Sequence, residues 1–142
     1  MYFFGMGWGL NQAETALGLN STNLFTNGGF DSDTAWTKQN GWTIAGGVAV
    51  GTASPAGQMI KQTPSPAIIA GHTYRITFTL VATIGGVAAG STGFAYLTAR
   101  TTSGTFQEDF VADPSDAGAD FGIYSDTDFT GTIDNISLTD IT

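Results

Sequence analysis

Residues 73–83 read TYRITFTLVAT, and their alternation decides the fold. Tyr74, Ile76, Phe78, Leu80 and Ala82 fall on one face, while Thr73, Arg75, Thr77 and Thr79 fall on the other. Successive strand side chains point to opposite faces, so this period of two describes a strand with a core on one side and water or a neighbour on the other. Shorter runs of similar character follow at 42–50, 58–63, 92–101, 105–111, 119–124 and 131–139. Turn formers separate them: Asn40-Gly41, 53–57, 64–66, Ser103-Gly104 and Asp113-Pro114 to Gly118. The Gly/Ala-rich stretch 85–93 reads as a mobile loop. Short strands at close intervals with turn signals between them make an all-β sandwich or barrel.

Composition agrees. The chain has 142 residues, a length that closes one core but not two. Charged residues are 11% of it, too few for self-repulsion to keep it unfolded, and 20 glycines supply the turns that short strands require. A net charge of -8 opposes any polyanionic partner, so nucleic acid is not expected. With no cysteine there is neither a disulfide frame nor a thiolate metal site.

The first ten residues, MYFFGMGWGL, are apolar but lack the basic start, long hydrophobic run and cleavage pattern of a secretion signal. They are also too few to span a bilayer, so no membrane is expected. Such a segment needs a surface to bury against. Asn11-Gln-Ala-Glu14 resembles a capping box, which predicts one short helix over 12–17 ended by Gly18. The organisation expected is an N-terminal arm with that helix over 1–22 and a β-sandwich over 23–142.

Four pieces occur in order: Asn23-Leu-Phe-Thr-Asn-Gly-Gly-Phe-Asp31; Trp36 and Trp42; Ala70-Gly-His-Thr-Tyr74; and Ile133-Asp-Asn-Ile-Ser-Leu138. Together they resemble the family 4/9-like carbohydrate-binding modules, jelly-roll β-sandwiches found in glycosidases and in many phage structural proteins. The resemblance spans nearly the whole chain and implies a jelly roll of about eight antiparallel strands. In that fold the first and last strands lie side by side, which brings Asp31 towards Asp134. Two neighbouring carboxylates repel unless protonated or bridged. The resemblance implies a structural calcium on Asp31 and Asp134 with loop carbonyls; capping of turns by the same two side chains is the alternative. It also implies aromatic platforms for sugar rings. Trp36, Trp42, Tyr96 and Tyr124 are the candidates, with Arg100 beside Tyr96, although a core plug is the favoured reading of either Trp.

Catalytic chemistry is thin. His72 is the only histidine, so a multi-imidazole zinc site is excluded and a triad would hang on one turn residue. Nucleophile elbow, Walker loop and dinucleotide fingerprint are all missing, and no residue is assigned as catalytic. The functional expectation is a non-enzymatic virion structural protein, a capsid decoration or cement protein on the capsid surface. Its partners would be the major capsid protein, contacted through Tyr2, Phe3, Phe4, Trp8 and Leu10, and copies of itself in a homotrimer. The alternative is a glycan-binding module of a phage tail fibre or adhesin.

Overall fold

The computed structural model describes residues 22–93 and 97–142. Among them are nine strands: β1 (Thr37–Lys38), β2 (Trp42–Ala45), β3 (Val48–Ser54), β4 (Met59–Gln62), β5 (Thr73–Ile84), β6 (Val87–Ser91), β7 (Gly104–Val111), β8 (Phe121–Ser125) and β9 (Phe129–Asp140). They build two antiparallel sheets, one ordered β1-β4-β8-β6 and the other β2-β3-β9-β5-β7. Between the sheets, Ile60, Val87, Ala89, Phe121 and Ile123 meet Tyr74, Ile76, Phe78, Leu80, Phe129, Ile133, Ile136 and Leu138. Each fully buried side chain of this size contributes roughly 1.5–3 kcal/mol. The result is a jelly-roll sandwich in whose five-stranded sheet β9 is central and the long strand β5 lies between β9 and β7.

The two end motifs do meet. Asn23 donates through Nδ2 to the carbonyl of Ile136 (3.1 Å), and its Oδ1 accepts the N–H groups of Phe25 and Leu138, both at 3.0 Å. The Leu24 N–H reaches the Leu138 carbonyl at 2.7 Å, and the Ile136 N–H reaches the Gly28 carbonyl at 3.0 Å. Gly28 is required by this approach, because a Cβ there would stand 2.2 Å from the Ile136 carbonyl oxygen. Opposite Phe78 the last strand carries one extra residue, Asn135, at φ 49°. This bulge lets Ile133 and Ile136, three apart in sequence, both face the core.

Three expectations about elements change. The run 42–50 is two strands, folded at Gly46-Gly47 with φ values of 64° and 81°, the double positive-φ turn that suits a right-twisted hairpin. The stretch 85–93 holds β6, buried throughout, rather than a mobile loop; its small residues hide the alternation that marks a strand. Of the strand expected over 92–101, the described part is a bridge at Arg100, whose N–H and carbonyl exchange bonds with Val87, and a bond from Leu97 to Ala89. The short helix expected over 12–17 lies outside the described residues.

Candidate functional site

Each sheet turns one face away from the core, and the two faces differ. On the five-stranded sheet the outward positions of β5, β7 and β9 are largely Thr, Ser, Gln, Arg and Asp, bonded to one another. Arg75 grips Asp109 with two bonds of 2.7 and 2.9 Å, Thr77 bonds Ser137, and Thr79 bonds Thr105 at 3.2 Å. The Arg75 bonds hold the Asp109 carboxyl below its ordinary range. No described aromatic side chain belongs to this face.

On the four-stranded sheet the registers place Met59 beside Tyr124 and Tyr124 beside Ala88, forming one outward row; Lys61, Gly122 and Gly90 form the next. Their neighbours Ile60, Ile123 and Ala89 point inward to the core. The Tyr124 hydroxyl donates to the Ser91 carbonyl, so the phenol leans from β8 over β6, where Gly90 offers no side chain to obstruct it. Lys61 is held at the border by Asp120, 3.3 Å away. Gly57, Ala88, Tyr124, Ser125 and Asp126 line a cavity of about 220 Å³ at one end of the face. That is smaller than the roughly 300–1,000 Å³ of sites that engulf a drug-sized ligand. It suits one ring of a longer molecule lying along the sheet. An apolar floor with a carboxylate, Asp126, at its edge matches a sugar, whose C–H faces are apolar and whose hydroxyls need partners.

Trp36 and Trp42 are 7% and 3% exposed and belong to the core. Trp36 packs on Phe25 and Phe30, and its indole N–H donates to the Asn27 carbonyl at 2.9 Å. Trp42 packs on Phe129 and donates to the Gln58 carbonyl at 3.2 Å. Neither indole offers a face to a ligand. Arg100 stands over the Phe106 ring, 4.7 Å from its centroid, and reaches Glu108 at 3.3 Å, so its charge is already committed. Tyr96 and the arm residues Tyr2, Phe3, Phe4, Trp8 and Leu10 lie outside the described residues. Met59, Ala88, Gly57 and Asp126 escaped the sequence reading; only Tyr124, out of phase with Ile123, signalled this face.

His72 sits at the entry of β5 with its Nδ1 2.7 Å from Asp140. Burial raises the Asp140 carboxyl, but hydrogen bonds from His72 and Thr142 outweigh it and the net direction is down.

The fit of a cation at Asp31 and Asp134 turns on the loop between Asn27 and Thr34. The Asn27 Nδ2 donates to the carbonyls of Ser32 (2.7 Å) and Thr34 (3.0 Å), while its Oδ1 accepts the Asp31 N–H at 3.0 Å. A side-chain amide thus already organises the carbonyls that a calcium would gather. Asp134 accepts the Asn135 N–H at 2.8 Å, as a turn-capping carboxylate does. Among the described residues no group of three or more acidic, histidine or cysteine side chains could hold a metal ion.

No protein-family model matches the chain, and no curated protein matches it in sequence. Solved structures do match in fold. The CBM22-1 xylan-binding domain of Xyn10C from Paenibacillus barcinonensis aligns at a TM-score of 0.54 and 12% identity, covering 80% of this chain and 92% of that one. The N-terminal cellulose-binding domain of β-1,4-glucanase C from Cellulomonas fimi aligns at 0.54 and 18% identity, covering 86% and 99%. A CBM4 structure aligns at 0.52 and 13% identity, covering 82% and 99%. At such identities the likeness shows the fold alone: this chain has the jelly-roll sandwich of carbohydrate-binding modules.

Proposed function

We propose that the domain is a non-catalytic glycan-binding module, with its site on the outward face of the four-stranded sheet around Tyr124. One observation carries the reading: this sheet places an aromatic ring, a row of small residues and a carboxylate around one cavity, whereas the other sheet has no described aromatic side chain on its outward face. The shared fold with modules described as xylan- and cellulose-binding supports it by analogy of architecture. Soluble xylo- and cello-oligosaccharides are the first ligands to try. The proposal places the sugar ring against Tyr124, with Asp126 at its hydroxyls. Tyr96 lies outside the described residues, and Arg100 is held by Glu108.

The test is a glycan panel read by isothermal calorimetry. Tyr124→Ala should abolish binding, and Thr77→Ala on the opposite sheet should leave it unchanged. Equal affinity in wild type and Tyr124→Ala would remove the site from this face. The capsid-decoration reading, with a major capsid protein and a homotrimer as partners, gains no support from the glycan-binding neighbours. A calcium on Asp31 and Asp134 is proposed only as an addition to a loop that Asn27 already holds.

A further inference from the structure

Asparagine followed by glycine occurs twice, at Asn27-Gly28 and Asn40-Gly41. In such a pair the glycine has no Cβ to shield its nitrogen, which can attack the asparagine Cγ. Sequence rates the two alike; the fold separates them. The Asn27 side chain is held at both ends, its Nδ2 donating to the Ser32 and Thr34 carbonyls and its Oδ1 accepting the Asp31 N–H. Its carbonyl is held as well, by the Trp36 indole N–H at 2.9 Å and the Phe30 N–H at 3.1 Å. Asn40 is exposed, and its side chain bonds to nothing among the described residues. Its carbonyl accepts one bond, from Ser54 Oγ at 2.8 Å. Asn40 and Gly41 are the two central residues of the turn between β1 and β2, closed by the Trp42 N–H on the Gln39 carbonyl at 3.0 Å, with Gly41 at φ 86°.

We propose that Asn40 is a site of spontaneous deamidation, and that Asn27, with the same neighbour, is protected from it by the bonds of its loop. The Gly41 nitrogen bonds to the Asn40 Cγ and gives its proton to water, while the Cγ–Nδ2 bond breaks and ammonia leaves, closing a succinimide ring. Water then opens the ring. Cleavage between the ring nitrogen and Cγ leaves an aspartyl side chain; cleavage between the nitrogen and the main-chain carbonyl leaves an isoaspartyl linkage, in which the chain runs through Cβ. The balance is one water consumed and one ammonia released, with no oxidant or reductant. Ring closure at position 40 works against the single Ser54 bond. At position 27 it must first undo three side-chain bonds and two carbonyl bonds, so it waits for the loop to open. Either product adds a negative charge to the turn. The isoaspartyl form also lengthens the main chain by one atom where it passes from the four-stranded sheet to the five-stranded one.

The test ages the full chain in mildly alkaline buffer, folded and in concentrated urea. Peptide mass spectrometry follows the mass gained when an amide becomes a carboxyl, and fragmentation assigns the residue. In the folded chain Asn40 should convert at least about tenfold faster than Asn27, because a protected site reacts only through its open population. In urea the two rates should approach one another, since only the sequence remains to set them. The variant Asn40→Gln, whose longer side chain must close a less favourable ring, should lose the gain at position 40 and leave the Asn27 rate unchanged. A folded-state rate at Asn27 equal to or above that at Asn40 overturns the proposal. So does a folded Asn40 that stays intact while both sites convert in urea. A gain in the same peptide that persists in Asn40→Gln also overturns it, by moving the reaction to Gln39 or Gln58.

Discussion

Replacing Asn23 by Ala tests the closure of the jelly roll, because one amide there does the work of a missing strand neighbour. Its three bonds, to the Ile136 carbonyl and from the N–H groups of Phe25 and Leu138, disappear together. A typical bond is worth about 1 kcal/mol net, and a buried N–H left without an acceptor costs about 1–3 kcal/mol. Leu138 is fully buried, so its N–H falls in the second class. The expected loss is therefore about 3 kcal/mol, or about 6–12 °C in melting temperature for a domain of this size. Urea unfolding followed by tryptophan fluorescence gives the number. Asn23→Asp should lose less, since it keeps the acceptor for both N–H groups and forfeits only the donor to Ile136. A change below about 0.5 kcal/mol in Asn23→Ala, within the range of an ordinary surface substitution, would refute the claim that this side chain joins the first and last motifs.

Other consequences follow from the same contacts. Trp42→Ala should cost about 3–5 kcal/mol, the usual range for deleting a buried aromatic, in the same unfolding assay; a loss under about 1 kcal/mol would return Trp42 to the list of exposed platforms. The carboxyls of Asp109, held by Arg75, of Asp113, held by Ser115, and of Asp140, where bonds from His72 and Thr142 outweigh burial, all sit below their ordinary values. The folded chain thus binds fewer protons than the unfolded one in acid. Their contribution is complete above about pH 4 and lost as pH falls through the lowered values. Stability measured between pH 2 and 7 should decline on the acid side, and Asp140→Asn should flatten that limb. If calcium adds to the Asn27-held loop, millimolar calcium raises the melting temperature of wild type and not of Asp31→Ala; an unchanged temperature in wild type discards the ion.

Where alternation was intact the fold could be read directly. Residues 73–83 gave β5 and its buried side, and the end motifs gave the adjacency that Asn23 and Gly28 cement. Where side chains are small, alternation carries no contrast. Ala88, Ala89 and Gly90 look like a loop, yet they form a buried strand. Losing β6 hid the candidate face, since Tyr124 gains its meaning only beside Ala88 and Met59. In sequence the tryptophans read as core plugs before platforms, and the structure places both in the core. A large ring with a polar N–H suits a platform or a core plug, and only the Asn27 and Gln58 carbonyls waiting for those N–H groups decide for the core.

The most direct test of the central claim is a two-dimensional amide NMR titration of the chain with soluble oligosaccharides. The account predicts saturable shifts at Met59, Lys61, Ala88, Tyr124 and Asp126, and none at Thr77, Thr79 or Gln107. Shifts confined to the five-stranded sheet, or no shift with any sugar of the panel, would contradict it.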